Sequence, residues 1–217
     1  MNRQNNKQEE NQMGKVEANK KKKKESLLNT AFELFTSKGI NETSISDIVN
    51  KAGVAKGTFY LYFRDKYDVR NLLISHKSSK VFMNAANALE KEKIEVLEDK
   101  IIFIVDNIIN QLAENKALLT FVSKNLSWGF FKNAITSHGD DDSLDFKDIY
   151  YTMLDESEYE YREPEIMIYM IVELVSSTIY SSILYNEPAG IEEIKPYLFE
   201  TVRFIIKSHR GNKKVSD

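Results

Sequence analysis

Residues 52–63 read AGVAKGTFYLYF. Lys56 brings a cation, Thr58 a hydroxyl beside a methyl, and Tyr60 and Tyr62 hydroxyls on rigid arms. Groups of this kind donate hydrogen bonds to phosphate oxygens and base edges; they do not break bonds. Phe59 and Phe63 stand four apart and share one helix face, so they anchor the segment to a core. Tyr60 and Tyr62 point to either side of that face. Gly57 leaves bare backbone among the polar groups, which permits close approach to another surface.

Residues able to catalyse do not assemble elsewhere. His76, His138 and His209 lack metal-ligand spacing, and three aspartates at 140–142 would need further oxygens in convergent geometry to hold a cation. The absence of cysteine excludes disulfides, zinc-finger patterns and cysteine nucleophiles. No phosphate-cradling loop or nucleophile elbow is present. The expectation is therefore a protein that is not an enzyme, with no cofactor and no metal. A helical small-molecule carrier or enzyme with a vestigial head stays as an alternative without motif support.

The 217 residues, 42% hydrophobic and 29% charged, describe an ordinary globular chain with a core of its own. No apolar run approaches the ~20 residues of a membrane span. The polar, lysine-rich N-terminus does not read as a secretory leader. The expected location is cytoplasmic, on the nucleoid, with no membrane partner. The net charge of −3 conceals an asymmetry: residues 1–70 hold 14 Lys and Arg against 9 Asp and Glu, the remainder 16 against 24. Only the positive front is suited to a polyanion.

These side chains need elements to hold them. Residues 1–20 are polar and are expected to be disordered. Lys20 to Lys24 form either the solvated start of a helix or a tail resting near phosphates. From Glu25, Leu28, Ala31, Phe32 and Phe35 recur at helical spacing, and Gly39 stops the helix. Thr43 or Ser44 caps a second helix, Ser44 and Asp47 having capping-box spacing. Ile45, Ile48, Val49 and Ala52 form its inner face, and Gly53 ends it. A third, short helix runs over about 55–62, and further helices over 66–91, 95–114, 117–134, 143–157, 164–186 and 191–209. No strand is expected. The fold class is all-α, divided into a tail at 1–20, a head at 21–66 and a larger helical domain at 67–210.

Two short helices joined by a glycine turn, after a supporting helix, make a helix-turn-helix. Its second short helix lies in the major groove of DNA. One such helix reads few base pairs, so two copies at two half-sites are required. The last two long helices can join them. Met167, Met170, Ile171, Leu174, Val175, Thr178, Ile179 and Ser182 form a broad apolar stripe, and Leu198, Val202 and Ile205 another. Part of each is internal core; the excess is expected to meet a twofold copy in a four-helix bundle.

Residues 43–66, TSISDIVNKAGVAKGTFYLYFRDK, resemble the DNA-binding signature of TetR-type bacterial transcriptional regulators. The resemblance is strong over about 24–70. It implies that Thr43, Ser44 and Ser46 touch phosphates, that Lys56, Gly57, Thr58, Tyr60 and Leu61 face the major groove, and that Tyr62 and Lys66 bond further phosphates. Ala55 stands where the family commonly has a Ser or Thr cap. The implied function is a sequence-specific repressor, released from a palindromic operator in double-stranded DNA by a small-molecule effector. A second alternative is a DNA-bound protein acting through a protein partner. The resemblance also implies an effector pocket between the dimer helices and the long fourth helix. The candidates to line it are Phe103, Phe121, Trp128, Phe131, Tyr150 and Met170, suited to an apolar or aromatic ligand. Nearby Asp, Glu and Tyr would also suit a cationic aromatic one.

Overall fold

The computed structural model describes residues 2–123 and 146–214. The chain forms two compact units, 1–73 and 74–217, and the boundary falls a full two turns beyond the expected one at residue 66. The helix α4 (Lys66–Leu89) runs through it.

The first unit contains α1 (Asn2–Ser37), α2 (Ile45–Ala52), α3 (Lys56–Tyr60) and the start of α4. Residues 2–20 are helical, not disordered. The physical reason is local. Lys, Glu, Gln and Met lose little side-chain freedom in a helix, and the chain enters the amphipathic part of α1 with no stop signal. Lys20 to Lys24 all lie exposed on this helix. Beyond them Leu27, Ala31 and Phe35 turn inward and meet Ile48 and Val49 of α2 and Phe59 of α3, all buried. Gly53 ends α2 at φ 68, where a side chain would be strained, and its N–H bonds the carbonyls of Asn50 and Val49. This left-handed residue makes the sharp turn between α2 and α3.

The second unit holds the rest of α4, then α5 (Leu97–Glu114), α6 (Lys116–Ser123), α7 (Phe146–Asp155), β1 (Tyr159–Tyr161), α8 (Pro164–Tyr185), α9 (Ile191–His209) and β2 (Arg210–Lys213). Its core is built from Ile101, Ile104 and Ile109 of α5, Met167, Ile171 and Ile179 of α8, and Leu198, Val202 and Ile206 of α9. The two strands, absent from the sequence reading, pair antiparallel with Tyr159 opposite Lys213 and Tyr161 opposite Arg210. Segments of three and four residues are too short to show a period of two. The clasp fastens the chain's rear: Arg210 pairs with the carboxylate of Glu98, which is only 3% exposed, and its guanidinium lies 4.3 Å from the Tyr159 ring centroid.

Contrary to the expectation that no apolar run is long enough, α8 has the length and composition to cross a membrane. Its apolar character is two-sided. Met167, Ile171, Val175 and Ile179 enter the core, while Ile166, Tyr169 and Met170 lie at the surface.

Candidate functional site

The reading surface of the head starts with the two phenylalanines. Phe59 is fully buried and Phe63 nearly so, their ring centroids 5.4 Å apart. Each contributes roughly 1.5–3 kcal/mol of burial, which fixes α3 on its hidden side. The opposite side is bare to solvent. Tyr60 is 54% and Leu61 78% exposed, Lys56 and Gly57 are exposed, and Thr58 and Tyr62 are half-buried. Tyr60 is steadied edge-on by Phe59 at 5.5 Å, and Tyr62 lies 6.1 Å from Phe63. Ala55 supplies no side-chain cap, so only backbone contacts such as Thr58 N–H to Ala55 carbonyl, 2.8 Å, start the helix.

Gly57 stands apart. Its φ is not in the left-handed region, and a Cβ built on it meets nothing within 4 Å. Neither backbone conformation nor internal packing requires glycine there, although glycine in a helix costs about 0.5–1 kcal/mol relative to alanine.

Two expected phosphate ligands are otherwise engaged. Lys66 Nζ donates to the carbonyls of Ile40, Asn41 and Thr43 at 2.8, 3.0 and 3.0 Å. An ammonium has three donors, and all three are used. Lys66 is thus a staple that satisfies the open carbonyls between α1 and α2. Thr43 is fully buried and its Oγ1 donates to the Gly39 carbonyl at 2.7 Å, which fixes the same turn from inside. Ser44 forms the anticipated capping box: Asp47 N–H donates to its Oγ at 3.1 Å, and Ser44 N–H to Asp47 Oδ2 at 2.8 Å. Lys38 closes on the same carboxylate at 2.9 Å. The Lys38 bond, then the Ser44 N–H and hydroxyl, hold Asp47 well below the usual carboxylate range. Ser44 and Ser46 both remain at the surface. Tyr67 is 45% exposed on the first turn of α4, with the Arg70 guanidinium 5.4 Å from its ring centroid.

The second unit encloses a cavity of about 170 Å³. Its walls come from Val81 and Phe82 of α4, Ile104, Val105 and Ile108 of α5, Phe146, Tyr150 and Met153 of α7, and Ile168, Val172 and Val175 of α8, among others. Burial pushes the Tyr150 hydroxyl's pKa up, so it stays a neutral donor, and it bonds the Pro164 carbonyl at 2.8 Å.

The family model for bacterial regulatory proteins, tetR family, matches residues 27–72, the span of the head. The head carries the TetR-family DNA-binding region. An HTH-type transcriptional regulator of Bacillus subtilis, YvdT, is 57% identical over 44 residues, which are 20% of this chain and 23% of that protein. The chain spans 23%, 35% and 56% of the length of three curated relatives it matches. Two solved structures share the whole architecture. A TetR-family regulator from Shewanella has a TM-score of 0.63 at 18% identity, covering 88% of this chain and 99% of that one. FadR of Bacillus subtilis, solved with stearoyl-CoA, has a TM-score of 0.60 at 17% identity, covering 82% and 96%. At such identities the likeness shows the fold: a helix-turn-helix head and a helical second unit.

The expected pocket residues separate. Tyr150 lines the cavity. Phe121 is buried in α6 without facing it, Phe103 is half-buried on α5 outside its walls, and Met170 is 42% exposed. Trp128 and Phe131 lie outside the described residues. No carboxylate occurs among the described lining residues. Most walls are aliphatic, and isoleucines and valines of a pocket have the same sequence pattern as those of a core.

The expected dimer stripe is corrected as well. Met167, Ile171, Val175, Ile179, Leu198, Val202 and Ile205 are buried inside the protomer, and Ser182 is buried donating to the Ala189 carbonyl at 2.8 Å. A helix face packed in its own core is not available to a second copy. Leu174 and Thr178 are half-buried, and Met170 alone of the stripe is exposed. Large apolar side chains lie exposed instead at Ile166, Tyr169, Met170 and Tyr185 on α8 and at Tyr197 and Phe204 on α9, the last two 72% and 71% exposed. On α9 the spacing of seven between Tyr197 and Phe204 would have marked the outer side.

Proposed function

We propose that this protein is a homodimeric, sequence-specific DNA-binding regulator, a repressor that leaves a palindromic operator when a small molecule enters the second unit. The observation that carries the reading is the surface of α3. Lys56, Gly57, Tyr60 and Leu61 are presented to solvent on a helix fixed by buried Phe59, and Gly57 has no internal reason to be glycine. In the proposal Lys56, Thr58, Tyr60 and Leu61 face the major groove, while Ser44, Ser46 and Tyr62 bond backbone phosphates. Thr43 and Lys66 serve by holding the head rigid.

The apolar face of α8 and α9 supports a homodimer. Two aromatic side chains more than two-thirds exposed on α9, beside Ile166 and Met170 of α8, are costly to leave in water. A second copy would cover them and set two heads at two half-sites. The apolar cavity supports an effector, and the complex of FadR with stearoyl-CoA supports a ligand with an apolar portion in a chain of this fold. A ligand moves the equilibrium between binding-competent and released states only through unequal affinity for the two.

The test is duplex selection from a random pool, followed by affinity measured across salt concentrations. An inverted-repeat sequence should emerge, and Tyr60→Ala should weaken its binding by about tenfold with the oligomeric state unchanged. Failure to enrich any sequence, or full affinity in Tyr60→Ala, would count against the interface.

A further inference from the structure

Ser78 is the odd member of the cavity wall. It projects from α4 among Ile74, Val81, Phe82 and Ile104, and its Oγ is buried without a hydrogen-bond partner among the described residues. Two further hydroxyls of the wall have partners: Tyr150 donates to the Pro164 carbonyl, and Ser176 Oγ to the Val172 carbonyl at 2.7 Å. A buried, unbonded hydroxyl is unfavourable, and native proteins leave few of them. Around it the described walls present neither a carboxylate nor an ammonium or guanidinium group. A charged ligand group would lose its hydration there and gain no counter-charge.

We propose that the cavity takes an uncharged, mainly apolar molecule carrying one hydrogen-bonding group, and that Ser78 Oγ receives that group. The inference rests on the reading of this cavity as the effector site and specifies the chemistry of its occupant. Size bounds it further. An apolar cavity of ~150 Å³ holds a benzene molecule, so about 170 Å³ fits one ring with a short chain, or a comparable aliphatic chain. The hydroxyl can both donate and accept, so an alcohol, a ketone, an ester or an amide satisfies it equally in kind. The aliphatic walls supply the affinity, and Ser78 fixes which end of the ligand points toward α4.

Four probes of one skeleton test this on the full chain by calorimetric titration at pH 7: butylbenzene, 4-phenylbutan-1-ol, 4-phenylbutanoate and 4-phenylbutylammonium. The alcohol should bind most tightly, butylbenzene about three- to tenfold more weakly for want of one hydrogen bond, and both ions at least about tenfold more weakly. Ser78→Ala should abolish the preference for the alcohol over butylbenzene and leave butylbenzene itself unchanged. Val172→Phe, which fills the half-buried edge of the cavity, should weaken all probes; Val105→Phe provides the same loss from another wall should the first variant fold poorly. An ion that binds as well as the alcohol, a preference that survives Ser78→Ala, or binding of none of the four would overturn the proposal. Competition against a duplex selected by the protein separates the two readings. Probe binding in the stated order with the duplex still held would uphold the ligand chemistry and overturn only the effector role.

Discussion

Replacing Gly57 by alanine should move stability and DNA affinity in opposite directions. On the protein side the added methyl meets nothing within 4 Å, and the residue's φ is one that alanine adopts. The substitution therefore reduces the freedom of the unfolded chain without strain in the folded one, a gain of about 0.5–1 kcal/mol. Because α3 has only five residues and no side-chain cap, that gain should be visible locally. Amide exchange in α3 should slow by about two- to fivefold, the equivalent of this free energy. On the DNA side the same methyl enters a contact whose closeness depends on bare backbone. Forcing one extra carbon into a close-packed contact costs about 1–3 kcal/mol, or roughly five- to 150-fold in Kd. Hydrogen exchange by mass spectrometry and fluorescence anisotropy on a selected duplex report the two quantities independently. Slower exchange with unchanged Kd would refute the claim that the glycine serves an external surface. Faster exchange would refute the premise that the fold has no use for it.

Lys66→Ala should lower the head's stability by about 1.5–3 kcal/mol, since three carbonyls lose a charged donor. The slope of log Kd against log salt should stay unchanged; a slope reduced by about 1 would restore Lys66 as a phosphate contact. Phe204→Glu, altering a side chain 71% exposed, should yield a folded monomer with weakened operator binding, read by light scattering and circular dichroism. Asp47 is more acidic folded than unfolded, so its contribution is present above the ordinary carboxylate value of 3.8 and is lost as the pH falls below it. Denaturation between pH 6 and about pH 2 should accordingly show a shallower acid loss in Asp47→Asn than in the natural chain, and equal slopes would remove the capping carboxylate from the account.

The head was legible because its signals are local. Ser44 and Asp47 cap a helix three residues apart, Gly53 turns it, and Phe59 and Phe63 share a face; each relation spans less than two helical turns. What sequence left hidden depends on distant partners. Lys66 bonds carbonyls 23 to 26 residues away, so its motif position could not tell a staple from a phosphate ligand. Glu98 meets Arg210 across 112 residues, and the strand beside Arg210 is too short to carry a pattern. On α8 the difficulty is different. Nearly every turn has apolar residues on more than one side, so the stripe that enters the core and the one that faces out cannot be separated by periodicity. Only α9, with Tyr197 and Phe204 seven apart on its exposed side, kept a readable outer face.

Thr43 is buried and the Lys66 ammonium is spent on backbone carbonyls of the head, and this changes what should govern its salt dependence. Asp47 is paired with Lys38, and Glu33 with Lys51 at 2.9 Å, so these lysines also have internal partners. On α3 itself Lys56 is the only cation. The largest exposed concentration of positive charge in the first unit is the run from Lys20 to Lys24 on α1. If α3 supplied the phosphate attraction, replacing Lys56 with glutamine would remove most of the salt slope. The arrangement predicts otherwise: Lys56→Gln should reduce it by about 1 at most, with any larger share following the α1 lysines, since each neutralised phosphate contributes about 0.9. Base preference, by contrast, should follow Tyr60 and its neighbours and stay intact when the α1 lysines are replaced. A selected sequence that changed with the α1 lysines would place part of the reading outside α3.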